Sequence, residues 1–135
     1  MATLTSNKTS AGVQPKVLRV GLVAETAVYS LNASLSTGDV LQMIKVPVNA
    51  RVVDLFVQSI GTGTAAGSFI VGDGVDTDRY MSEVSVASTV VHRMNRAMDP
   101  YTYSVDDTID IVYSLSTVQP STGSIVMKAW IEYPG

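Results

Sequence analysis

The sequence predicts a single all-β domain, a two-sheet antiparallel β-sandwich. Three observations lead there. Apolar residues recur on a two-residue period, turn residues interrupt them at the short spacing typical of sandwiches and barrels, and no segment sustains an apolar stripe of helical period. With 135 residues, one domain is the default, and a domain of this size buries about two-thirds of its unfolded surface. There is no Cys, so packing and assembly, not disulfides or thiolate-bound zinc, must hold the fold.

The first fourteen residues read as an arm: small, polar and without periodicity. The folded body is expected from 15 to 135. Lys16 to Val23 is the first expected strand. Thr26 to Leu35 follows, with Ala27, Tyr29, Leu31, Ala33 and Leu35 on one face, and Ser36-Thr37-Gly38-Asp39 closes it as a turn. Val40 to Val46 is stopped by Pro47, which has no N–H for a sheet ladder. Arg51 to Ile60 is expected to point Val53, Leu55 and Val57 one way, and Asp54 and Gln58 the other. Gly61 to Thr64 is a loop, Ser68 to Val71 a short strand, and Gly72 to Asp76 a turn. Arg79 to Val84 and Ala87 to Met94 are further strands, with Val90 to Met98 a competing weak helical candidate. Two strong runs end the chain. Asp107 to Leu115 puts Ile109, Ile111, Tyr113 and Leu115 on one face. Ser124 to Tyr133 puts Ile125, Met127, Ala129, Ile131 and Tyr133 on the core face, with Val126, Lys128, Trp130 and Glu132 opposite.

Charge and composition narrow the function. The net charge is −3, and no basic run or stripe appears, which argues against a nucleic-acid partner. The N-terminus lacks the apolar run of a signal peptide, and no stretch is long and apolar enough for a membrane helix, so no membrane partner and synthesis in the cytoplasm are expected. Hydrophobic residues make up 46% and charged residues 16%. Charge is thus low for a soluble protein. Either other subunits cover apolar surface, or the core is simply rich in Val.

No catalytic signature stands out. The acidic loop offers Asp73, Asp76 and Asp78 as oxygen ligands for Ca²⁺. It lacks the EF-hand spacing, and a turn in which Asp caps its own neighbours is preferred. His92 is the sole histidine, too few for a cupin-type metal site. A serine hydrolase elbow and a phosphate-binding loop are both missing, and no carboxylate pair is marked as a glycosidase dyad. No cofactor and no enzymatic activity are expected. Trp130, on the face away from the core, is a candidate either for stacking a sugar or for an interface, where Trp is enriched. Tyr101 and Tyr103 also share a face.

Several segments resemble the capsid decoration, or cement, proteins of tailed bacteriophages. They are Thr37-Gly38-Asp39-Val40-Leu41-Gln42-Met43-Ile44-Lys45-Val46-Pro47, Ala50-Arg51-Val52-Val53-Asp54, Val71-Gly72-Asp73-Gly74 with Asp78-Arg79-Tyr80, Tyr103-Ser104-Val105-Asp106-Asp107-Thr108-Ile109-Asp110-Ile111, and Thr122-Gly123-Ser124-Ile125-Val126. Their specificity lies in the order of strands and turns. The resemblance, with the strand count, implies a jelly-roll sandwich with an extended N-terminal arm. It further implies a virion protein on the outer capsid surface that stabilises the shell. Its partners would be the major capsid protein and its own copies, as a homodimer or homotrimer. Leu4, Val13 and Trp130 are the expected contact residues. The alternative is a carbohydrate- or receptor-binding β-sandwich module of a tail or surface fibre.

Overall fold

In the computed structural model the chain is described at residues 3–6, 21–31, 36–60, 67–85, 91–95, 100–115 and 123–134. Nine strands are assigned there: β1 (Thr3–Thr5), β2 (Gly21–Ser30), β3 (Val40–Val46), β4 (Arg51–Ile60), β5 (Gly67–Gly72), β6 (Met81–Ser85), β7 (His92–Arg93), β8 (Asp107–Leu115) and β9 (Ser124–Tyr133). No helix occurs among the described residues. One sheet has the order β1-β3-β8-β5-β6 and the other β2-β9-β4-β7. Strands β2 to β9 alternate between the sheets, except that β5 and β6 pair with each other. This is the eight-strand jelly roll, with β1 added at one edge.

The core lies between the sheets. Leu41, Ile44, Phe69, Val71, Ile109, Ile111 and Tyr113 meet Ala27, Val52, Leu55, Val57, Ile125, Met127, Ala129 and Ile131 there, all buried. Burying such side chains stabilises each by roughly 1.5–3 kcal/mol relative to exposure. In β9 all five expected inward residues are buried, and in β8 Ile109, Ile111 and Tyr113 are, because strict alternation matches the pleat.

Four expectations need correction. The separate strands Lys16 to Val23 and Thr26 to Leu35 are one strand in the described region, β2. It pairs without interruption from Gly21↔Tyr133 to Ser30↔Ser124. Glu25-Thr26 carries no turn chemistry, so β9 templates straight through it; 16–20 and 32–35 lie outside the described residues. In β4 it is Val52, not Val53, that joins Leu55 and Val57 in the core. The register with β9 shifts between Val52 and Asp54. Val53 is the extra residue of this bulge, which reverses the alternation on its N-terminal side. Finally, the Val90 to Met98 helix is not formed where it is described. His92 and Arg93 pair with Val57 and Phe56, and Arg79 and Tyr80 belong to the connection before β6 rather than to a strand. Residues 87–90 and 96–98 lie outside the described set.

The described part of the N-terminal segment lies along the sheet. Thr3–Thr5 runs parallel to β3, Leu4 packs against the core, and the Ser6 hydroxyl donates to the Met43 carbonyl. Val13 lies outside the described residues.

Candidate interaction surfaces

The connection from β5 to β6 is built around one buried carboxylate. Asp73 is only 1% exposed. Its Oδ1 accepts the backbone N–H groups of Val75 (3.0 Å) and Asp76 (2.8 Å), and its Oδ2 accepts Nε of Arg79 at 2.5 Å. The Asp76 carbonyl accepts the N–H groups of Asp73 and Arg79. Burial pushes the Asp73 carboxyl up, but the Arg79 guanidinium and the two N–H donors outweigh it and hold it below the usual range. Gly72 makes the tight fold possible: a Cβ there would sit 2.1 Å from the Asp76 carbonyl oxygen.

Arg79 is held in turn from outside the loop. Its guanidinium lies 3.6 Å from the centroid of the Tyr101 ring, a cation–π contact. Tyr101 meets Tyr103 edge-on at 5.1 Å, and the Tyr103 and Tyr80 hydroxyls are hydrogen-bonded at 2.6 Å. Burial pushes both buried phenols, Tyr80 and Tyr103, well above their ordinary range, so they act as neutral hydrogen-bonding groups. Asp73, Asp76 and Asp78 therefore do not converge on a cation position. Asp73 faces inward onto Arg79, and no group of three potential ligands able to hold a metal ion forms among the described residues.

Two neighbouring connections are linked to this one in series. The Gly74 N–H donates to Asp107 Oδ2 at 3.1 Å, and the Val48 N–H donates to Asp106 Oδ1 at 2.8 Å. Asn49, with φ of 70°, donates its N–H to the Tyr103 carbonyl at 2.7 Å, and the Tyr103 N–H donates to the Ala50 carbonyl. Asn tolerates this left-handed geometry better than most residues. The three connections thus form one fixed end of the sandwich, and each presents a bare valine: Val48 (41% exposed), Val75 (78%) and Val105 (60%).

Just below, on the outer face of the five-stranded sheet, Asp110 lies between Gln42 and Gly72. It is buried and accepts the Thr108 hydroxyl at 2.6 Å. Burial, with smaller contributions from the charges of Asp107 and Asp73, pushes its carboxyl up to about 6.

The outer face of the four-stranded sheet is a second surface. Trp130 meets Phe56 edge-on, with centroids 5.3 Å apart, and Lys128 lies 5.7 Å from the Trp130 centroid. A shallow cleft of about 290 Å³ beside them is lined by residues including Phe56, Gln58, Val91, Val126 and Lys128. The acids of this face are paired: Asp54 with Arg93 at 2.9 Å and Glu132 with Arg51 at 2.6 Å. Tyr101 and Tyr103 pack against each other elsewhere, so these described rings do not line up into a sugar-stacking row. His92 sits in β7 beside Val57, away from the carboxylate network. Of the expected contact residues, Trp130 is on an outer face and Leu4 is turned toward the core. Sequence reading did not single out Val48, Val105, Arg79 or Asp110; the signal it carried for the first two was an apolar residue standing alone in a turn.

No known protein family and no curated protein matches the sequence. Solved structures do match in fold. A chain of the capsid of Ralstonia phage GP4 superposes with a TM-score of 0.79 at 12% identity, covering 98% of this chain and 99% of that one. A chain of the cyanophage Pam1 capsid asymmetric unit gives 0.69 at 17% identity, covering 95% and 97%. A chain of the acidic stable capsid of Helicobacter pylori bacteriophage KHP30 gives 0.58 at 15% identity, covering 84% and 95%. At these identities the likeness is one of fold, and in the first two it runs nearly end to end.

Proposed function

We propose that this chain is a structural protein of a tailed-phage virion, which binds the outer surface of the assembled capsid as a dimer or trimer and stabilises the shell. The observation that carries the reading is the end-to-end likeness to a chain of a phage capsid, over 98% of this chain and 99% of that one. Correspondence of whole chains supports a shared setting better than a common sub-fold would, since one fold serves many functions. The strand-and-turn cadence resembling decoration proteins supports the position on the shell.

The physics suits the task. A protein that binds only the assembled shell stabilises it by mass action. Several copies joined together add avidity, so no single contact need be strong. A disulfide-free sandwich with a self-contained core can fold before it binds. The major capsid protein is the proposed partner.

The test uses expanded, undecorated shells of the phage that encodes the chain. Purified protein is mixed with them and co-sedimented, and the heat-disruption temperature of the shells is recorded. Saturable binding with a raised disruption temperature is expected. Shells that bind no protein would overturn the reading. So would assembly of closed shells from this chain alone, which would make it the shell-forming protein itself.

A further inference from the structure

The loop end formed by 47–50, 72–79 and 103–107 differs from an ordinary set of surface turns in two respects. Its backbone is fixed by side chains, and its most exposed positions are apolar. Isolated surface valines are common. Here, however, Val48, Val75 and Val105 stand on three connections joined by the Asp106–Val48 and Asp107–Gly74 hydrogen bonds. Val75 crowns the turn that Asp73 holds from beneath. The buried Asp73–Arg79 pair stacked on Tyr101 leaves this turn little freedom to lose on binding. Such pre-organisation lowers the entropic cost of docking.

Charge narrows the partner. The segments 47–50, 72–79 and 103–107 carry Asp73, Asp76, Asp78, Asp106 and Asp107 with Arg79 as their one cation, in a chain whose net charge is only −3. These three segments therefore sum to −4, and the rest of the sequence is close to neutral. Arg79 is already engaged by Asp73 and lies 3.9 Å from Asp76. The outer face of the four-stranded sheet, by contrast, has its acids paired within the chain. An apolar centre with an acidic surround fits a protein surface of the opposite pattern: an apolar depression rimmed by Lys and Arg. Complementary charge of this kind steers encounter and fixes register more than it adds affinity.

We infer that this loop end is the docking surface of the protein, and that it seats on a basic-rimmed apolar depression of the capsid shell. The inference rests on the shell-binding reading above and adds the face and the chemistry of its partner. The test measures binding of full-length variants to expanded, undecorated shells. Val75→Asp and Val105→Asp should each weaken binding at least tenfold. Asp78→Lys should weaken it severalfold, and less so at high salt, where the charges are screened. Val91→Asp, on the edge of the sheet-face cleft, should bind like the original. Thermal melting of each variant close to that of the original separates lost contact from lost fold. If Val75→Asp, Val105→Asp and Asp78→Lys all bind normally while Val91→Asp does not, docking uses the sheet face and the inference fails, with the shell-binding reading intact. If the original protein itself does not bind, both fall.

Discussion

The two ends of the sandwich are built from different chemistry. At one end the connections carry Asp73, Asp76, Asp78, Arg79, Asp106 and Asp107, and their backbones are tied by carboxylates. The connections that leave β2, β4, β6 and β8 depart from the opposite end. Taken together, the sequences between each of these strands and the next carry one charged residue, Asp39, whose Oδ2 accepts the Ser36 N–H at 2.9 Å. One carboxylate serves the connections of that end, against the five of Asp73, Asp76, Asp78, Asp106 and Asp107 at the other. A buried ion pair is weak evidence for added stability, because desolvation offsets much of its attraction. The network is better understood as fixing the shape of one end.

The sharpest way to break that contrast is Arg79→Ala. It leaves the buried Asp73 carboxylate without its cation, and losing one partner of a buried pair costs about 3–5 kcal/mol. The melting temperature should fall substantially, and hydrogen exchange at Val75 and Asp76 should speed up more than exchange in β9. Gly72→Ala comes next. Its Cβ would meet backbone at 2.1 Å, and forced overpacking typically costs about 1–3 kcal/mol. Chemical denaturation should show the loss without a change in the slope that reports exposed surface.

The pH dependence sets two aspartates against each other. Asp110 keeps its proton up to about 6, against about 3.9 for an ordinary aspartate. Between these values the folded chain binds more protons than the unfolded chain, so stability falls as pH rises from about 4 to 6. Asp73 acts in the opposite sense. Its contribution is present above the ordinary aspartate range and is lost as pH falls through its lowered folded value. Denaturation at pH 4.5, 5.5 and 7 should show a decline across the series. Asp110→Asn should flatten it and raise stability at pH 7 by about 1–2 kcal/mol. The smallest effect is expected at Val75→Ser, within about 0.5 kcal/mol by thermal melting. A larger loss would mean that Val75 serves the fold rather than a partner.

Much of the sandwich was legible because alternation and pleat share a period of two. Ile125 to Tyr133 and Ile109 to Tyr113 show their faces directly. The failures have local causes. One inserted residue, Val53, reverses a face, and alternation contains no sign of a bulge. Leu4, in the opening polar run, packs against the core from the three-residue strand beside β3, a contact that composition does not signal. The loop end was half legible. Gly72-Asp73-Gly74 signalled a turn, and Arg79 stands only six residues from Asp73. Tyr101, Asp106 and Asp107 arrive from the far side of β6 and β7, where no sequence spacing ties them to Asp73. Asp110 carries no sequence signal of its role, because its raised affinity for a proton comes from burial that only the fold supplies.

Electron cryomicroscopy of the intact virion measures directly where the chain sits in a particle. Density for the sandwich is expected on the outer surface of the shell, two or three copies together, with the Val48, Val75 and Val105 end turned toward the capsid protein. Density for this fold within the continuous shell layer, or none on the capsid at all, would contradict that expectation.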